Sequence, residues 1–191
     1  MREPSRPVAP VRNTTMTIEI DPVKDIVLPG IVAGLLSTAA LGICARLHGK
    51  RGTAPVSAVS HWLWPQEANQ TARPKPRHLI AGLAIHQLMS IGWAACNALI
   101  VATVRPAMTD RVDTRANSAR RVALASATTL AAAAGDYIVV PKRFTPGFEY
   151  HLPAAHIAAV YAAFGAGLVL PFLCSGPIHR RGDRHANHRS L

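Results

Sequence analysis

Along this chain, four apolar stretches nearly free of charge alternate with segments that hold almost all of it. Residues 79–104 read LIAGLAIHQLMSIGWAACNALIVATV, 26 positions without a Lys, Arg, Asp or Glu. At about 1.5 Å of rise per residue, such a helix is ample to cross a hydrocarbon layer about 30 Å thick. Three further stretches, 26–47, 122–140 and 153–175, have the length and character of spans; the third carries Asp136 and is rich in Ala. The pattern predicts an all-α protein, a four-transmembrane-helix antiparallel bundle.

The connections are unequal. Residues 48–78 form a long loop containing TAPVSAVSHWLWP, where Thr53 can cap, Pro55 suits a first turn and Pro65 ends the segment. About eleven residues, 54–64, are too few to span, so a short interfacial helix is expected there, with Trp62 and Trp64 as headgroup-level anchors. Residues 105–121 read as a polar loop with five arginines, and PKRFTPGFEYHL (141–152) as a short connection between adjacent helices. The termini, 1–25 and 176–191, are too polar to offset chain entropy and are expected to be disordered; Met16 is an alternative start. The domain of interest is thus 26–175.

Within the second span His86, Ser90, Trp93 and Asn97 recur at i, i+4, i+7 and i+11, one hydrogen-bonding stripe that should face other helices. In the first span Gly30, Gly34, Thr38 and Gly42 recur every four residues and offer a small-residue packing face. Cys44, Cys96 and Cys174 sit in different spans with no CxxC pair, so they read as small core residues.

Charge changes the picture by its placement. The 191 residues carry 21 Lys and Arg against 10 Asp and Glu, a formal charge of +11. That balance invites a nucleic-acid reading, but the basic residues lie between the apolar runs, as bilayer insertion requires, and few aromatics are present to stack on bases. Nucleic acid is therefore excluded as a partner; the bilayer and other membrane proteins, including a second copy, are the expected ones. Thirteen basic residues fall on the side of the two termini and eight on the other, which places both termini in the cytoplasm of a bacterial inner membrane.

Antiparallel spans bring the first and third loops to one side. His86, Asp136 and His156 lie in the halves of their spans nearest that side, and His61 lies in the first loop. These four form a candidate polar cluster, with His86, Asp136 and His156 as metal candidates. Two readings stand: interhelical hydrogen bonding with Asp136 paired to a histidine, or a metal-binding or catalytic His/Asp site. No HExxH, no His pair at i, i+4 and no nucleophile elbow around Ser57 or Ser60 accompanies them, so no metal or other cofactor is expected. A non-enzymatic role in membrane assembly, transport or envelope stress is the expected function.

Ser60-His61-Trp62-Leu63-Trp64, Arg77-His78, His86 and the run Pro141-Lys142-Arg143-Phe144-Thr145-Pro146-Gly147-Phe148-Glu149 resemble a group of uncharacterised small four-span inner-membrane proteins of proteobacteria. The resemblance covers about residues 27–172. It implies the same four-span architecture and brings no catalytic role with it.

A reporter fused after Leu191 should behave as cytoplasmic and one inserted near Ala68 as periplasmic. Finding both on one side would overturn the four-span topology; finding both reversed would overturn only the orientation.

Overall fold

The computed structural model describes residues 20–67, 75–104 and 114–174. The expected disorder of the tails falls largely outside these residues, as do parts of the first and second loops.

The described chain is helical, with no strand. Helix α1 runs Pro22–Leu47 and opens with a π-helical turn, Pro22–Val27. Helix α2 is Ala54–Ala58, continued by a 3-10 turn, Val59–Trp62. Helix α3 is Pro76–Val104. Helix α4 is Thr114–Ala134, carried on by a π-helical turn, Gly135–Val139, and α5 is Ala154–Cys174. Four of these, all but α2, are long and apolar enough to cross a bilayer. Leu35, Ile43, Ile80, Leu88, Leu99, Leu130 and Ile138 are all more than half exposed, an outward apolar belt suited to lipid. The chain is a multi-pass integral membrane protein with a short helix between its first two spans.

Two helices begin earlier than the apolar pattern indicates. The Asp21 carboxylate accepts from Val23 N–H (3.0 Å) and Lys24 N–H (3.2 Å), while Asp25 accepts from Asp21 N–H (2.9 Å). With Pro22 in the first turn, this cap starts α1 at Pro22, so residues 22–25 belong to the helix rather than the tail. Likewise α4 starts at Thr114, and Arg115, Arg120 and Arg121 ride on its first turns rather than in a loop. TRANSARR contains no helix breaker, and a helix can continue into the headgroup layer after the hydrocarbon ends. The Arg121 guanidinium sits 4.3 Å from the centre of the Phe172 ring on α5.

Helix α1 ends in a Schellman motif. Lys50 N–H bonds to Ala45 O (2.8 Å) and Gly49 N–H to Arg46 O (3.0 Å). Gly49 is at φ +70°, which an L side chain rarely adopts. The chain is thereby folded back onto α1.

Packing is close wherever side chains are small. The most extensive helix pair is α1 with α5, where a Cβ at Gly167 would strike the Ala33 backbone. Gly30 and Gly34 turn to α3: a Cβ would lie 2.7 Å from Ile91 Cα at the first and 2.5 Å from Gln87 Oε1 at the second. Thr38 is half-buried, and Gly42 faces the backbone of Gly52 in the following turn rather than another span. Of the cysteines, Cys44 is buried while Cys96 and Cys174 are exposed, so only the first fits the core expectation.

Helix α2 is sunk into the end of the bundle. Pro55 through His61 are all buried, and Gly82 of α3 lies so close that a Cβ would collide with the Val56 carbonyl. Gly82→Ala should therefore destabilise the protein by about 2 kcal/mol or more, because backbone is in the way. Gly92→Ala, where a Cβ meets open space, should be neutral or stabilising by up to about 1 kcal/mol through helix propensity. Thermal unfolding of both variants in one detergent checks the pair; equal effects would mean that α2 is not seated on α3.

Candidate functional site

The first and third loops meet and close one end of the bundle. The turn at Gly147 (φ +81°) lays residues 145–148, all buried, over α2, within van der Waals reach of Ala58 and His61. His61 is 4 % exposed, with Nδ1 2.7 Å from Ala58 O and Nε2 3.0 Å from Arg143 O. Carbonyl oxygens only accept, so both contacts are hydrogen bonds only when both ring nitrogens carry a proton. Trp62 Nε1 donates to Thr145 O (3.3 Å), its ring standing edge-on to Phe144, and the Thr145 hydroxyl donates to Glu149 (2.8 Å). Nearby, Arg77 pairs with Glu67 and covers the Trp64 ring, which leans on the buried His78. The Arg77 guanidinium holds the Glu67 carboxyl below the usual carboxylate range. Trp62 and Trp64 are both half-buried and engaged with the protein.

Beneath this cap lies a cavity of about 60 Å³, room for a few waters. Trp62, Pro146 and Phe148 of the cap border it, and its polar wall consists of Ser37, His86, Ser90, Asp136 and Tyr161, with Trp93 beside them. Each polar group comes from a helix whose packing fixes it. The Ser37 hydroxyl donates to Ala33 O one turn back (2.7 Å), with Gly34 O at 3.2 Å, and Ser37 Oγ lies 2.9 Å from His86 Nε2. When the hydroxyl hydrogen goes to a backbone carbonyl, the imidazole is the donor of that contact and its Nδ1 an acceptor. Ser90 donates to the His86 carbonyl on its own helix (2.8 Å). Across the cavity the Tyr161 hydroxyl of α5 donates to Asp136 Oδ2 at 2.5 Å.

Two further polar links sit in the bundle. Gln87 Nε2 donates to Gly30 O (3.0 Å), joining α3 to α1, and the Thr128 hydroxyl is 3.1 Å from Asn97 Oδ1, joining α4 to α3.

His86 and Asp136 thus share a cavity, while His61 belongs to the cap above it. His156 does neither: its ring stands edge-on to His48 at 5.2 Å, and its Nδ1 is buried with no hydrogen-bond partner. Asp136 pairs with a tyrosine rather than a histidine, because Tyr161, one helix away, reaches the carboxylate with its hydroxyl. Among the described residues no three His, Cys, Asp or Glu side chains gather as metal ligands would. Ser37 and Tyr161 are the site residues missing from the sequence reading. Tyr161 carried a signal, a phenol in the same half of the fourth span as His156; Ser37 carried none, since serine is common in apolar helices.

Comparison with family models, with curated proteins and with solved structures gives no match. The geometry above therefore carries the functional argument alone.

The pairing predicts which residues couple. In thermal-unfolding double-mutant cycles, Asp136→Asn with Tyr161→Phe should show a coupling of about 0.6–2 kcal/mol, and Asp136→Asn with His156→Ala almost none. The reverse ranking would show that the carboxylate is partnered elsewhere.

Proposed function

We propose that this protein is a non-enzymatic component of a bacterial inner membrane, with both termini in the cytoplasm and the capped end in the periplasm. Its role is to hold a place in a membrane assembly of transport or envelope-stress type. The observation that carries this reading is how the polar interior is used. Ser37 with His86, Tyr161 with Asp136, Thr128 with Asn97 and Gln87 with Gly30 O are all links between different helices, so interior polarity goes into fixing the bundle.

One observation favours a second reading, a membrane-embedded hydrolase. Ser37 and His86 form a serine–imidazole pair at the wall of a cavity that also contains Asp136. The surroundings of the Ser37 hydroxyl weigh against it. A nucleophilic serine must give its hydrogen to the imidazole, whereas two backbone carbonyls, Ala33 O (2.7 Å) and Gly34 O (3.2 Å), compete for the Ser37 hydrogen. Ser37 also lies within a regular helix, where the surrounding N–H groups are consumed and cannot stabilise an oxyanion.

The two readings separate on the purified protein. A fluorophosphonate probe should leave Ser37 unlabelled, and Ser37→Ala should cost stability together with His86→Ala in a coupled manner. Labelling of the protein that disappears in Ser37→Ala would overturn the non-enzymatic reading.

A further inference from the structure

On the outside of the capped end, an open cleft of about 650 Å³ lies between the last turns of α1 and the segment that follows it. Its upper wall holds three cations, Arg46, Lys50 and Arg51, all exposed. None of them has a carboxylate partner among the described residues; the Lys50 ammonium is 3.4 Å from the Tyr150 carbonyl and makes no ion pair. The Schellman turn at Gly49 reverses the chain and brings Lys50 and Arg51 back beside Arg46. Gly52 makes room for the Arg46 stem, since a Cβ there would stand 3.2 Å from Arg46 Nε.

The lower wall is of opposite character. Ala39 and Ile43 lie one helical turn apart on the face that leads up to Arg46, and both are exposed to the surroundings of the span. The cleft is therefore apolar toward the membrane and tricationic at its rim.

We propose that this cleft is a binding site for an anionic phospholipid, the headgroup phosphate held by Arg46, Lys50 and Arg51 and an acyl chain lying along Ala39 and Ile43. Charge complementarity selects the occupant: three exposed cations at a bilayer edge, with no carboxylate partner among the described residues, attract a phosphodiester, and the guanidinium fork matches two of its oxygens. A free phosphate would use the same cations but would gain nothing from the apolar wall. A zwitterionic lipid brings its own ammonium into a site already crowded with positive charge. The site does not depend on orientation, because anionic lipid can occupy either leaflet.

The test uses the full chain in a mild detergent, with lipid retention read by native mass spectrometry at equal phosphatidylglycerol and phosphatidylcholine. The wild-type protein should retain phosphatidylglycerol roughly tenfold better, and Arg46→Gln/Lys50→Gln/Arg51→Gln should abolish that preference. Removing equal charge from the C-terminal tail, with Arg180, Arg181 and Arg184 changed to Gln, should leave it intact. Should the triple variant fail to fold, Arg46→Gln alone decides, with an expected loss of several-fold. No preference in the wild type, or a preference equal in the cleft and tail variants, overturns the proposal. Displacement of the bound lipid by millimolar inorganic phosphate would make the site one for free phosphate and would also overturn it.

Discussion

A bilayer interior has no water to satisfy a polar side chain, and the arrangement of this bundle follows from that single constraint. Every span carries polar atoms, and most of those described are answered by their own helix or by a neighbour, His156 Nδ1 and the Tyr137 hydroxyl being exceptions. Ser37, Ser90 and Thr129 bond back to carbonyls a turn away; His86, Asp136, Gln87 and Thr128 reach across. The bonds that cross from α1 to α3 need a close approach, which Gly30 and Gly34 allow, while Gly167 lets α5 come equally close to α1 by packing. Polar pairing and small-residue packing are one solution seen from two sides.

Span number and the helix in the first loop were legible because they rest on length and hydropathy, which tertiary contacts do not override. Faces were harder to read. The first span is apolar all round, so nothing in its composition says which side is inward. The row Gly30, Gly34, Thr38, Gly42 steps by four residues, and each step overshoots a full turn by about 40°. After three steps the row has wound about 120°, so Gly30 and Gly34 meet α3 while Gly42 has turned to Gly52. Buried positions on α1 follow the true helical period instead, through Gly30, Ala33, Ser37, Leu41 and Cys44, and this places Ser37 rather than Thr38 at the cavity.

The stripe on the second span was legible in part. Asn97 meets Thr128 and His86 meets Ser37, both across helices, while Ser90 bonds only to its own backbone. Depth alone was a poor guide to convergence. His86, Asp136 and His156 occupy the same end of the bundle, yet rotation about the α5 axis puts Tyr161 at the cavity and His156 against His48. Matching level along an axis is a necessary condition for a shared site; azimuth decides it.

The cap joins segments far apart in the chain, and this has a bearing on how the protein is made. The carbonyl that receives His61 Nε2 belongs to a residue 82 positions later, and the turn that covers α2 is later still. While the first two spans emerge, α2 can seat on Gly82 but its upper surface has nothing to meet. The closing contacts become possible only when α4 has been threaded and the PGF turn follows it. Val56 to His61 are thus laid down early and shielded late, so the order of synthesis leaves a half-built hairpin whose inner face is open to any chaperone or partner waiting at the membrane.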